Sequence, residues 1–178
     1  VVNAFNLMRE ACRAEGFDGL YILGEYRGLD PRHLELMRSL GLDYTFAYCW
    51  HVQNNPSPEV AIETQMNNIR QTQELGILPQ VVTVSQGWSG WHDEGSIWKI
   101  PPDDYENLLK RAKQFVGGLP QDRLSGRMLI LDNWNEWGEG HYIAPHREFG
   151  FGYLDTVRKV LCDAPGPHVD LIPEDIGL

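Results

Sequence analysis

The 178-residue sequence is short of cysteine, of basic charge and of long apolar runs, and each shortage closes off a class of protein. Cys12, Cys49 and Cys162 are odd in number and far apart. With no CxxC pair and no Cys/His ligand spacing, neither a disulfide framework nor a structural zinc site is indicated. Lys plus Arg total 15 against 25 Asp plus Glu, a formal net charge of -10. That balance argues against nucleic acid and against an anionic membrane surface as partners, since both attract basic faces. No apolar run approaches the ~18–20 residues of a membrane-spanning helix. Phosphate-loop and hydrolase signatures are missing too: there is no P-loop, GxGxxG, GxSxG or H-E-x-x-H, and His141 with His146 makes no metal motif. No metal or organic cofactor is implied.

The chain is long enough for one domain with a sizeable core. Its pattern is strand, loop, helix, four times over. Residues 2–15 carry Phe5, Met8, Ala11 and Cys12 at helical spacing, and Gly16 stops the helix. Leu20–Leu23 reads as the first strand, followed by a helix that opens at Asp30-Pro31 and ends at Gly41. Tyr44–Cys49 is the second strand, and Ser57-Pro58-Glu59 opens a helix reaching Gly76. Leu78–Val84 is the third strand. A long loop then runs to Pro101, and residues 102–116 form a helix with acids in its first turn and bases later. Met128–Leu131 is the fourth strand and residues 152–161 the last helix. With no hairpin signal between strands, this order predicts an α/β fold with a parallel sheet and crossover helices, either open and doubly wound or a (β/α)8 barrel. A full barrel needs ~250 residues, so four units correspond to half of one. The chain starts inside a helix without an initiator Met. The expectation is a missing N-terminal half of the same barrel, without which these residues alone would be inactive and aggregation-prone.

All six tryptophans (Trp50, Trp88, Trp91, Trp98, Trp134 and Trp137) lie at or beyond predicted strand ends. In parallel α/β folds that is the ligand-binding face, which favours the barrel. Indole rings left in loops suit the apolar faces of sugars. The densest stretch is Met128–Tyr142, MLILDNWNEWGEGHY: four apolar residues, then Glu136 and Glu139 set among tryptophans, asparagines and glycines. Two carboxylates in a cleft walled by indoles can be driven apart in pKa, as acid/base work on a glycoside requires. Their spacing allows either separation used by glycosidases, so it does not give the stereochemical outcome. Asn133 and Asn135 are candidates for binding sugar hydroxyls, orienting a glutamate or closing the strand-end turn. Glu25 and Tyr26 end the first strand, with a rim salt bridge as the plainer role for Glu25. Trp50 is a candidate subsite wall and His51 a donor to substrate. Gln86, Trp88 and Trp91 sit in the long third loop, which could act as a lid. Trp134, Trp137, His141 and Tyr142 complete the substrate-binding candidates.

The run NWNEWGEGHYIAP, followed by FGFGYLDTVRKV, resembles the C-terminal signature of the WbsX-type proteins, relatives of the family 99 glycoside hydrolases (endo-α-mannosidases). The resemblance extends back through VSQGWSG and PDDYENLL and, more weakly, to the chain start. It implies the C-terminal half of a (β/α)8 barrel. It also implies that Glu136 is the base that activates a sugar 2-hydroxyl, and that Glu139 protonates the leaving oxygen and then activates water, with retention of configuration. Two departures bear on substrate identity: Ser89 stands where relatives commonly carry Asp, and Ala144 precedes Pro145 where they tend to carry an acid. The leading expectation is a glycoside hydrolase acting on a polysaccharide or glycan. The alternatives are a glycosyltransferase of cell-surface polysaccharide assembly and a non-catalytic carbohydrate-binding protein. A degrading enzyme would be extracellular or periplasmic and a biosynthetic one cytoplasmic.

Overall fold

The computed structural model describes residues 1–53, 55–89, 97–163, 169, 171 and 173–177. Helix α1 (Val2–Ala14) leads into strand β1 (Leu23–Glu25), helix α2 (Pro31–Ser39), strand β2 (Tyr44–Phe46) and helix α3 (Pro58–Leu75). Strand β3 (Val82–Ser85) is followed by two short strands, β4 (Gly87–Trp88) and β5 (Trp98–Lys99), and by helix α4 (Pro102–Gly117). Then come β6 (Leu129–Asp132), β7 (Asn135–Glu136), β8 (His141–Tyr142) and helix α5 (Gly152–Leu161).

Local chemistry sets several helix boundaries. Asp30 caps α2 by accepting from the Arg32 backbone N–H, with Pro31 at the first helical position. Ser57 caps α3 in the same way through the Val60 N–H, and Gly76 ends that helix in the left-handed region at φ 63°.

The long-range order is parallel. β1 pairs with β2 and β3 with β6, and a single parallel bridge from Thr45 to Gln80 joins the two pairs. Each main strand therefore lies beside its predecessor in the chain, with a helix in each connection. Gln80 reinforces the join: it donates to the Tyr26 carbonyl at 3.3 Å and accepts from Thr72 Oγ1 at 3.0 Å. Strands β1, β3 and β6 begin and end later than the apolar runs suggest, whereas β2 starts at Tyr44 as expected and stops at Phe46, short of Cys49. β1 covers Leu23–Glu25 rather than Leu20–Leu23, and β6 continues through Asp132. Two antiparallel ribbons, β4/β5 and β7/β8, correct the expectation that no hairpins occur. Two-residue strands leave no period-2 pattern to read.

The main core lies between strands β3 and β6, the segment that follows β2, and helices α3, α4 and α5. Val82 and Val84 of β3 are fully buried, as are Ile62 and Ile69 of α3 and Leu108 and Leu109 of α4. Tyr105 and Tyr153 meet edge to face at 5.4 Å between α4 and α5. The Tyr153 hydroxyl donates to the Ile100 carbonyl at 2.8 Å, whereas the Tyr105 hydroxyl is buried with no partner. An unpaired buried hydroxyl carries a desolvation penalty that a phenyl ring would not. Tyr105→Phe is therefore expected to be neutral or to stabilise the fold by up to about 1 kcal/mol. Urea unfolding measures this, and a loss above that size would show that the hydroxyl has a partner.

Candidate active site

The C-terminal ends of the parallel strands converge on one cavity of about 300 Å³, lined by Arg27, Tyr48, Cys49, Trp50, His51, Trp88, Trp98 and Glu139. Three buried bonds hold its floor. Gln65 of α3 donates to the Ser85 carbonyl at 3.0 Å and accepts from the Ser85 N–H at 2.9 Å, fixing the end of β3. The β3/β6 register sets Ser85 opposite Asp132, and Ser85 Oγ donates to Asp132 Oδ2 at 2.8 Å.

Beyond Asp132 the chain passes through a cis peptide to Asn133 and folds into the β7/β8 ribbon. Glu136 and His141 are register partners in that ribbon, so their side chains leave the same face. Glu139 sits in the turn and folds back: its Oε2 accepts from Tyr48 Oη at 2.8 Å and lies 2.8 Å from His141 Nε2. The other ring nitrogen, Nδ1, is 3.0 Å from Asp132 Oδ1. A continuous chain thus runs Ser85, Asp132, His141, Glu139, Tyr48, drawn from three strand ends and a hairpin turn. His141 is completely buried and Asp132 nearly so, at 0% and 4% side-chain exposure, whereas Glu139 keeps 25% and reaches the cavity.

The electrostatics follow from this packing. Burial works against a charged His141, but the hydrogen bonds and negative charges of Asp132 and Glu139 outweigh it and hold the imidazole pKa above its ordinary value. Burial, the bond to Glu139, and the charges of Glu139, Glu136 and Asp132 push the Tyr48 phenol well up, so it remains a donor. Burial does the same to the Cys49 thiol. Cys49, Asp132 and His141 are the described residues whose donor atoms cluster closely enough to suit a metal ion, within 4.8 Å of one another. The Asp132 oxygens and both His141 nitrogens are already engaged within the protein.

The structure distributes the sequence candidates unevenly. Glu139, His51, Trp50 and Trp88 line the cavity. Trp50 does so only by an edge: it is 2% exposed, belongs to the core, and donates from Nε1 to the Thr83 carbonyl at 2.8 Å. Trp88 lies over His141 at 5.1 Å. Trp134 and Trp137 stand outside the cavity at 53% and 51% exposure, and Trp137 leans on Tyr142 at 4.4 Å. Tyr142 also lines a neighbouring depression with Trp88, Trp98 and Gly140. Asn135 is exposed, and Asn133 Oδ1 accepts from the Trp134 N–H at 2.7 Å, closing the strand-end turn. Glu25 pairs with Arg27 at 3.0 Å on the rim. Tyr26 stacks on His33 at 4.3 Å, and its hydroxyl accepts from the Asp30 N–H, away from the cavity. Trp91 and Gly90 lie outside the described residues, and Gln86 acts as a tie, donating to the Tyr142 carbonyl at 2.7 Å.

Sequence reasoning passed over Tyr48, Asp132, Ser85 and Arg27. Tyr48 and Asp132 sat inside or beside runs read as plain strand. A polar residue on the last position of an apolar strand, as at Asp132 and Ser85, is the signal that was present. Arg27 donates to the Cys49 carbonyl and so ties the ends of β1 and β2 together.

The model of the family described as "Glycosyltransferase WbsX" matches residues 91–157. The WbsX resemblance holds over that segment. It contains both glutamates and the whole β7/β8 ribbon. An 84-residue stretch is 33% identical to the protein WxcX of Xanthomonas campestris pv. campestris strain B100, and the WxcX of strain ATCC 33913 matches to the same degree. The alignment covers 43% of this chain and 12% of WxcX. No helix among the described residues is long and apolar enough to cross a membrane.

Proposed function

We propose that this protein is an enzyme acting on glycans, and that its reaction is hydrolysis of a glycosidic bond at the cavity beside Glu139. The observation that carries this reading is the placement of Glu139: one carboxylate oxygen held between Tyr48 and His141, at a cavity edged with indole rings. A carboxyl group in that setting can give a proton to a leaving oxygen and take one back from water. Glu136, on the same ribbon face as His141, is assigned the activation of the sugar 2-hydroxyl, as the resemblance to family 99 implies. The exposed Trp134 and Trp137 suit sugar units beyond the cleaved bond. The strand order is that of successive barrel units, and we take the parent fold to be a (β/α)8 barrel.

The glycosyltransferase description of the matching family favours a second reading, transfer to a sugar hydroxyl instead of water. The same carboxyl pair would serve, since an acceptor hydroxyl can replace the attacking water. A panel of α-mannans, rhamnose-rich glycans and galacturonans, incubated with the native protein and read by product size, decides between them. Shortened products that vanish in Glu139→Gln establish the hydrolase. Lengthened products, or binding of a sugar nucleotide, establish transfer. Tight glycan binding with no product in either assay would reject both in favour of a binding protein.

A further inference from the structure

Resting on the reading of this site as a glycan-acting one, we propose that His141 is a positioning residue that holds the proton Glu139 delivers, with Asp132 fixing which ring nitrogen takes part. Both ring nitrogens face carboxylates, Nδ1 at 3.0 Å from Asp132 and Nε2 at 2.8 Å from Glu139. Asp132 also accepts from Ser85, as an acceptor carboxylate does, so Nδ1 carries a hydrogen. One proton then occupies the line between Nε2 and Glu139 Oε2. It sits either on the ring, giving an imidazolium beside a carboxylate, or on Glu139, giving a neutral imidazole beside a carboxylic acid. The two forms differ only in which end of a 2.8 Å hydrogen bond holds the proton, with no change in net charge.

The surroundings favour keeping that proton in the pair. Around His141 stand Asp132 from β6, Glu139 from the turn, Glu136 across the ribbon, Tyr48 and Cys49 from the segment after β2, and the Trp88 ring from β4. Three of these are carboxyl groups. The two weaker acids, Tyr48 and Cys49, are both pushed towards their protonated forms. Arg27 lines the cavity, where its charge meets Glu25. Tyr48 donates to the same Glu139 oxygen, so it steadies the carboxyl group without competing for the proton.

The cycle balances. In the first step the proton leaves Glu139 for the glycosidic oxygen as the bond from that oxygen to the anomeric carbon breaks with its pair kept on the oxygen, while the sugar 2-oxygen bonds to the anomeric carbon and gives its proton to Glu136. His141 is left as the neutral ring with hydrogen on Nδ1. In the second step Glu139 takes a proton from the attacking water, or from an acceptor hydroxyl, as that oxygen bonds to the anomeric carbon, the bond from the 2-oxygen to that carbon breaks, and the 2-oxygen takes its proton back from Glu136. That proton is again shared with Nε2.

Selective ¹⁵N labelling of histidine side chains in the native protein reads the ring nitrogens directly, from pH ~5 to ~9. The expected result is a His141 ring with hydrogen on Nδ1 throughout and a titration at Nε2 above the ordinary histidine range. In Glu139→Gln that titration falls by about one pH unit or more, because the carboxylate partner is gone. A ring that stays neutral with hydrogen on Nε2 and none on Nδ1 would overturn the proposal. Once a substrate is in hand, His141→Gln should lower kcat about 10²-fold with KM within about threefold, and should move the alkaline limb of the rate profile to lower pH. An unmoved alkaline limb would also overturn it. Should His141→Gln fail to fold, the nitrogen titration of wild type against Glu139→Gln decides alone. The expected nitrogen titration without turnover on any glycan rejects the glycan-enzyme reading. Turnover with a permanently neutral, Nε2-protonated ring rejects the proton store alone.

Discussion

Glu139→Gln is expected to lower turnover on the glycan substrate by about 10³-fold or more while ligand affinity stays within about threefold. The substitution keeps the shape of the side chain, and its carbonyl oxygen can still accept from Tyr48, so the cavity wall should stand. What disappears is the ability to release and retake a proton. A general acid that also serves as the later base acts in both half-reactions, so its loss is felt twice. The bond to His141 changes as well: an amide offers Nε2 no exchangeable acid proton. Parallel measurements of kcat and of glycan binding by calorimetry test this. A variant with wild-type turnover would remove Glu139 from the chemistry and turn attention to Glu136, whose own Gln variant belongs in the same series.

The second large effect is structural. Gly140→Ala should cost roughly 2–5 kcal/mol and abolish the site, where Gly138→Ala, two residues earlier in the same turn, should cost little. Gly140 has φ +75°, a conformation that penalises a side chain by itself. An added Cβ would also lie 2.7 Å from the Ser89 backbone nitrogen and 2.2 Å from Ser89 Cβ. That nitrogen donates to the Glu139 carbonyl at 2.8 Å, the bond that docks the ribbon turn onto the segment after β4. Relief of the clash must push the turn away and carry Glu139 with it. A Cβ at Gly138 meets only the end of the Glu136 side chain, at 3.4 Å. Denaturant midpoints for the two variants provide the comparison, and equal midpoints would contradict this account of the turn.

Much of the architecture is written locally. The caps at Asp30 and Ser57, the stop at Gly76, the helices α3, α4 and α5 and the succession of strand and helix follow from residue chemistry and period alone, because each depends on neighbours within a turn or two. The polar, indole-rich exit of the last main strand likewise marked the segment from which Glu139 reaches the cavity. The sequence alone determined the glutamate pair, the tryptophans around it, the acidic balance and the order of the elements.

Which groups meet was decided by tertiary structure. Tyr48 reaches Glu139 across 91 positions of chain, and Ser85 reaches Asp132 across 47. No local pattern records such contacts, since they arise from strand register and from the docking of one loop on another. The β7/β8 ribbon set His141 opposite Glu136, and the turn brought Glu139 onto the same imidazole. Burial then made His141, which in sequence reads as a substrate-binding candidate, the link between two carboxylates. Trp50 shows both at once: an indole that reads as a sugar platform lines the cavity by an edge, while its ring nitrogen donates to the Thr83 carbonyl and its ring belongs to the buried cluster that also holds side chains of β3 and α3.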